Sequence, residues 1–303
     1  MVDIPRLTMI SGLPGDYRTY PNTGGSVLLP LTSMNGWEPE ILICGGGAYQ
    51  DITSPTDASC GRIAPIVPGS NWEMDSMPEG RGMVDGTLLP DATVLWLNGG
   101  NRGSDGFGLM SKPTQQALLY DPNKPKGKRW TTLATSSIPR LYHSVALLIP
   151  DGTVMIAGSN PIQMPKLKPD SQDPYATEFR IETFIPPYLQ GSQKYRPNNV
   201  RISATTIKAN GSKFRVTWYQ PGGFEKLKIM LHHNGYVTHA VHMGQRLVEL
   251  DISGGVPQPG PNGGDVTVEV TGPPTNYIAP PGPYWIYVVV NGMPAHGVHV
   301  LVD

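Results

Sequence analysis

Ser144-Val145-Ala146-Leu147-Leu148-Ile149-Pro150-Asp151-Gly152-Thr153-Val154-Met155-Ile156-Ala157-Gly158 is the stretch that decides the fold. Its two apolar runs are of strand length, and Pro-Asp-Gly between them presets a turn. Uninterrupted Val, Leu and Ile suit strands that are buried on both faces. The closing glycine lets a neighbouring backbone come close. The same unit occurs twice upstream. Gly25-Ser26-Val27-Leu28-Leu29-Pro30 leads to Ile41-Leu42-Ile43-Cys44-Gly45-Gly46-Gly47, and Gly86-Thr87-Leu88-Leu89-Pro90-Asp91 leads to Val94-Leu95-Trp96-Leu97-Asn98-Gly99-Gly100.

The glycine ends return roughly every 50 to 60 residues, close to the period of kelch propeller blades. Outer strands are expected between the hairpins, as in Ala117-Leu118-Leu119-Tyr120-Asp121-Pro122 followed by Arg129-Trp130-Thr131-Thr132-Leu133. The first two thirds of the chain, residues 1–192, are therefore expected to form kelch-like β-propeller blades. About three to four blades can be counted, whereas propellers close with about 4 to 8. An open array leaves sheet edges unpaired, so the propeller is expected to be incomplete.

After Pro186-Pro187-Tyr188-Leu189 a polar stretch runs to Arg196-Pro197 and reads as a boundary. Strand signals follow at Val200 to Ser203, Lys213 to Trp218, Lys226 to Leu231, Val237 to Met243, Arg246 to Ile252, Asp265 to Val270 and Tyr284 to Val290, with a last one from Gly297 to Val302. Short, evenly spaced strands over about 100 residues read as an Ig-like β-sandwich, assigned to residues 193–303. The expected class is thus all-β: an incomplete propeller followed by a sandwich.

Composition agrees with many short strands. Of 303 residues, 36 are Gly and 32 Pro, and only 16% are charged. The net charge of −1 offers no basic surface for nucleic acid or an anionic membrane. No apolar run is long enough to span a bilayer, and Met1 to Arg6 lacks the form of a secretory signal. Cys44 and Cys60 can form one disulfide or stay as buried thiols. Asn210-Gly211-Ser212 fits a glycosylation sequon, a triplet that also arises by chance.

Two segments carry candidate chemistry. Arg140-Leu141-Tyr142-His143-Ser144 lies directly before the third blade hairpin, and Val237-Thr238-His239-Ala240-Val241-His242-Met243 lies in the sandwich, at a strand start or in the loop before it. Adjacent side chains on a strand point to opposite faces, so Tyr142 and His143 can serve one centre only from a strand end or a bend. A phenol oxygen with two imidazoles is a tetragonal N,O set suited to Cu(II), although a Tyr-His pair by itself more often packs than ligates. His232, His233, His242, His296 and His299 read as ordinary strand histidines. Trp72, Trp96, Trp130, Trp218 and Trp285 read as core. Asp85 and Asp105 read as turn caps that could instead line a substrate mouth.

Taken in order, Thr19-Tyr20-Pro21, Leu29-Pro30-Leu31, Cys44-Gly45-Gly46, Cys60-Gly61-Arg62, Met77-Pro78, Arg140-Tyr142-His143-Ser144, Pro150-Asp151-Gly152, Pro186-Pro187-Tyr188-Leu189, Thr238-His239 and Gln245-Arg246 form a series that resembles the later part of glyoxal oxidase, a copper radical oxidase related to galactose oxidase. The resemblance covers nearly the whole chain. It implies one mononuclear copper held by Tyr142 as axial tyrosinate and by His143 and His239, with Tyr142 also the catalytic base. It implies oxidation of small aldehydes or primary alcohols by O2 with release of hydrogen peroxide, a secreted location, and a disulfide between Cys44 and Cys60.

The family's further ligand, a tyrosine joined to a cysteine by a thioether that stores a radical, belongs upstream of Thr19-Tyr20-Pro21. Neither Cys44 nor Cys60 matches that cysteine, and Gly82-Met83 offers no tyrosine after Arg81. The chain is therefore expected to lack the radical cofactor, as a truncated piece missing its N-terminal blades, and to be inactive alone. The rival expectation is a non-catalytic module whose blades and sandwich bind carbohydrate or protein.

Overall fold

A computed structural model describes residues 12–303, so the reading of Met1 to Arg6 lies outside the described residues. Two short 3-10 turns, Ser33–Asn35 and Pro187–Leu189, are the helical pieces among them. Among the described residues no helix is long and apolar enough to cross a membrane.

Each repeat unit folds as one antiparallel sheet. The first blade runs Gly25–Leu28, Ile41–Cys44, Ser59–Ile63, Glu73–Ser76, and the second runs Asp85–Leu88, Val94–Leu97, Gln116–Tyr120, Trp130–Thr135. The third has three strands, Val145–Leu148, Val154–Ala157 and Glu182–Phe184. Among the described residues the lower end of the expected blade count is therefore observed, and none of these sheets closes on itself.

The turn chemistry read from Pro-Asp-Gly is visible in the bonds. Asp151 Oδ1 accepts from Thr153 N and Oγ1 at 2.8 and 2.7 Å. Asp91 Oδ1 accepts from Thr93 N and Oγ1 at 3.1 and 2.6 Å. The residue inside each turn is left-handed, Gly152 at φ +87° and Ala92 at φ +76°. Arginines tie hairpin ends down: buried Arg140 donates from Nη1 to the Gly158 carbonyl, and its Nε and Nη2 donate to Glu182 Oε2 at 2.9 and 2.8 Å. Arg18 Nη1 reaches the Gly45 carbonyl in the same way.

Cys44 and Cys60 lie directly opposite one another on neighbouring strands, with Cα atoms 4.1 Å apart, and are joined as a disulfide. Such close pairs occur at the non-hydrogen-bonded positions of an antiparallel ladder.

The sandwich has one sheet of Asn198–Ile202, Lys213–Gln220, Gly264–Thr271 and Ile252–Ser253. In Lys213–Gln220 burial alternates, with Phe214, Val216, Trp218 and Gln220 turned inward, as a sheet with one wet face requires. The facing sheet runs Thr206–Ile207, Val298–Val302, Gly282–Val290, Leu227–His233, Arg246–Leu250. At its edge it accepts Leu31–Thr32 of the first blade, parallel to Arg246–Leu250, with Leu31 opposite Val248.

The two units also share a core. Met230, Leu247, Tyr287 and Val289 of the sandwich belong to the same apolar cluster as Leu88 and Leu148 of the blades. Burying Leu247 and Val289 in that seam stabilises it by about 1.5 to 3 kcal/mol each. A cut at 192/193 thus divides the chain but not the packing.

One expected strand differs. Val237 to Met243 is not continuous but a hairpin of Tyr236–Thr238 and Val241–Met243. His239 and Ala240 form its turn, both left-handed at φ +51° and +62°. Neither is a Gly or Asn, so nothing local marked the reversal.

Candidate metal centre

Tyr142 and His143 sit in a tight turn just before Val145–Leu148, closed by Ser144 N donating to the Leu141 carbonyl at 3.1 Å. His143 is left-handed, φ +64°. That bend cancels the strand alternation and lets both rings serve one side, stacked with centroids 3.9 Å apart. Gly158 makes the bend possible, because a Cβ there would lie 2.5 Å from the His143 carbonyl.

The turn of the sandwich hairpin brings in His239. Its Nε2 lies 3.1 Å from the Tyr142 hydroxyl, and its ring centroid is 5.2 Å from that of His143. Donors held at about 2 Å from one ion, at about a right angle, lie about 2.8 Å apart, so the phenol oxygen and this nitrogen are already close to that spacing. Each imidazole has its other nitrogen engaged: His143 Nδ1 lies 3.3 Å from the Asn160 carbonyl, and His239 Nδ1 lies 2.9 Å from Thr238 Oγ1. That leaves Nε2 of each ring as the nitrogen available to a metal, with His239 Nε2 already facing the Tyr142 hydroxyl, the arrangement by which outer partners orient metal-binding histidines. A phenol and two imidazoles that present these atoms have the donor chemistry that fits a single cupric ion. Among the described residues no three His, Cys, Asp or Glu side chains cluster to hold a metal, so a metal set at this place would have to include the phenol.

Burial, and then a hydrogen bond with Tyr20, pushes the Tyr142 phenol up to about 12. Burial also lowers His143 below the usual imidazole value. The metal-free set is therefore a neutral phenol beside a histidine held toward its neutral form.

Residues that the sequence did not mark complete the surroundings. Tyr20 meets His239 edge-on at 5.9 Å. Phe107 stands edge-on to Tyr142 and His143 at 5.5 and 5.7 Å and covers both. Asn160 fixes the His143 ring and also donates its own N–H to the Tyr142 carbonyl at 2.9 Å. Met83, Met110, Leu141 and Ala240 pack with Tyr142 in a small buried cluster.

The other singled-out residues are not among these donors, although the Asp105 carboxylate also helps to raise the Tyr142 phenol. Asp85 and Asp105 neither cap turns nor line a mouth, since both are fully buried and bonded between elements. Asp105 accepts from the Thr23 hydroxyl, and burial raises its carboxyl to about 7. His232 is buried in the seam and pulled down to about 3 by burial. His233 Nδ1 meets the Gly244 carbonyl at 2.9 Å, His242 faces Asp85, His299 stacks edge-on to Trp285, and His296 is exposed. Trp96 and Trp218 are fully buried, and Trp72, Trp130 and Trp285 are half-buried. Asn210 is exposed, with Ser212 N donating to its side-chain oxygen at 3.0 Å.

Comparison with known proteins assigns the lineage. The glyoxal oxidase N-terminus family model matches residues 6–188, and the galactose oxidase-like early set domain model matches residues 196–302. The chain belongs to the glyoxal oxidase family. It is 39% identical to aldehyde oxidase GLOX of Vitis pseudoreticulata over 93% of this chain and 54% of that protein. It is 35% identical to aldehyde oxidase GLOX1 of Arabidopsis thaliana over 94% of this chain and 48% of that one. This glyoxal oxidase family chain thus spans about half the length of the curated relatives it matches. A solved fungal alcohol oxidase of the AA5 family, in complex with copper, shares the fold with a TM-score of 0.72 at 21% identity, over 92% of this chain and 54% of that one.

Proposed function

We propose that Tyr142, His143 and His239 bind one copper ion, in the copper-holding part of an oxidase that converts small aldehydes, or primary alcohols, with O2 to hydrogen peroxide. The observation that carries this reading is the meeting of a propeller phenol and a sandwich imidazole at 3.1 Å in a chain of this family. Copper, when bound, supplies a one-electron oxidant and a Lewis acid.

The chain's own groups do the rest. With its phenol at about 12, Tyr142 is protonated at neutral pH and must shed that proton to become a ligand. The Tyr20 hydroxyl bonded to it is the adjacent group that can receive and pass on the proton. The Tyr142 oxygen is then the base placed to take a substrate proton. Asn160 and Thr238 keep the two imidazoles oriented, and Phe107 keeps water off one side of the Tyr142 and His143 rings.

Two-electron oxidation needs a second redox centre. Cys44 and Cys60 are bonded to each other, so neither has a sulfur free for a thioether to tyrosine. We therefore expect this chain to take up copper without sustained turnover. The exposed apolar side chains Leu167, Phe179, Ile181 and Ile185 around the third blade suit cover by further blades. An extracellular location is consistent with the disulfide, which persists in oxidising surroundings.

Copper-dependent melting with EPR tests the reading. A ligand at a hundredfold its Kd adds about 2.7 kcal/mol to the folded state, which raises the Tm of a chain this size by about 4 °C. The expected result is that shift together with a type 2 Cu(II) spectrum, both lost in Tyr142→Phe and His239→Ala. No shift, or a shift that survives His239→Ala, overturns the metal site and favours the non-catalytic binding module. Catalytic peroxide production by the purified chain would overturn its expected inactivity.

A further inference from the structure

The hairpin that delivers His239 is held against the blades by buried polar side chains that the metal reading does not use. His242, three residues past His239, is 1% exposed at its side chain, and its Nε2 lies 2.5 Å from Asp85 Oδ1. Asp85 is equally buried, on the inner strand of the second blade. Its other oxygen, Oδ2, accepts the backbone N–H of Ala146 at 3.0 Å. Ala146 lies three residues past His143, on the inner strand of the third blade. One carboxylate thus bonds to both segments that supply the donors, at the same remove from each histidine. Thr87 Oγ1 donates to the same Asp85 oxygen that His242 approaches, at 3.0 Å.

Two further contacts fix the base of the hairpin. Gln245 spans the inner strand of the second blade, accepting from Leu88 N at 2.7 Å and donating to the Gly86 carbonyl at 3.1 Å. Asn234 donates to the Leu148 carbonyl at 2.9 Å. Between these anchors, His239 and Ala240 adopt left-handed backbone that costs a non-glycine residue about 1 to 2 kcal/mol each. Such a turn persists only where its surroundings over-determine it.

We propose that the Asp85–His242 pair is a positioning device that holds the His239 turn in register with the Tyr142–His143 turn across the seam between blades and sandwich. The inference rests on the copper reading for its purpose but not for its physical content, which concerns the metal-free hairpin. His242 touches no reacting atom in this scheme. It acts through His239.

The test compares His242→Leu, which fills the space without a hydrogen bond, with His242→Gln, whose amide nitrogen can reach Asp85, and with Asp85→Asn. The first readout is amide hydrogen exchange of the metal-free protein. In His242→Leu, exchange in the Tyr236–Met243 hairpin should accelerate by about tenfold or more, with Gly282–Val290 unchanged and His242→Gln near wild type. The second is copper affinity with EPR. Loss of an outer-shell partner weakens metal binding by about 10- to 100-fold, so His242→Leu should fall in that range with an altered hyperfine splitting, and His242→Gln should restore both.

Hairpin exchange unchanged in both His242→Leu and Asp85→Asn overturns the proposal, whatever copper does. A uniform acceleration across the sandwich in His242→Leu also overturns it, because the pair would then serve general stability. If the wild type takes up no copper, the metal reading fails, and the exchange result still decides this inference.

Discussion

Replacing Asp105 with asparagine should change the pH dependence of stability in a direction the structure dictates. Asp105 is fully buried, bonded to the Thr23 hydroxyl, and burial raises its carboxyl to about 7. In the unfolded chain it titrates near 3.9. Between those values the folded state holds one proton more than the unfolded state, so stability falls as pH rises, by about 1.4 kcal/mol per unit. This contribution is fully present below pH about 4 and is lost once the pH passes about 7. Summed over the window it amounts to at most about 4 kcal/mol. An asparagine side chain at this position would mimic the neutral acid and carry no such slope. Asp105→Asn should therefore match the wild type near pH 4 and exceed it by several kcal/mol at pH 8, a Tm difference of up to about 6 °C for this chain length. Urea unfolding of both proteins at half-unit pH steps measures it. Parallel stability curves from pH 4 to 8 would refute a neutral Asp105.

His232, buried and pulled down to about 3, tilts the curve the other way. Its folded value lies below the unfolded 6.5, so its contribution is present above pH about 6.5 and is lost as pH falls toward 3; His232→Leu should flatten acid unfolding in that range, seen in pH titrations of Tm. Removing the Cys44–Cys60 bridge as a double alanine variant reopens a loop of 16 residues and should cost about 3 kcal/mol in denaturant unfolding under non-reducing conditions. Gly152→Ala places a side chain at φ +87° and should cost about 1 kcal/mol, measured by the same unfolding, while an unchanged midpoint would show that the turn relaxes. Passed through a eukaryotic secretory pathway, the exposed Asn210 should carry a glycan, checked by intact mass before and after glycosidase.

Blades and sandwich were legible because each signal was local. Pro-Asp-Gly named the turn at Gly152, the apolar runs named Val145–Leu148 and Val154–Ala157, and the glycine at 158 marked a place where backbones nearly touch. The site was legible only in part. Tyr142 and His143 required a bend, and the left-handed His143 supplies it without any sequence mark. The His239–Ala240 turn falls inside the Val237 to Met243 strand signal, and its reversal carries no local mark because two non-glycine residues there take a conformation that only tertiary contacts enforce. Tyr20, Phe107 and Asn160 reach the centre from loops, and no periodicity connects a loop residue to a remote partner such as His239. Asp85 and Asp105 looked like turn caps because their bonding partners, His242 and Thr23, are remote in sequence.

The seam between the two units divides labour between apolar and polar contacts. Met230, Leu247, Tyr287 and Val289 bury surface against the blades, and that attraction is strong but non-directional. It fixes that the units adhere, while tolerating small sliding between them. A metal site tolerates far less, because donor distances must hold within about 0.2 Å. Hydrogen bonds carry the direction that apolar contact lacks. Across this seam, buried ones at Asp85–His242 and Gln245–Leu88 lie beside the hairpin that bears His239. Leu31–Thr32, paired into the far edge of the sandwich sheet, restrains rotation about that contact. Loosening the polar pairs should therefore degrade coordination before it separates the units, so metal affinity and global stability should fall in different variants rather than together.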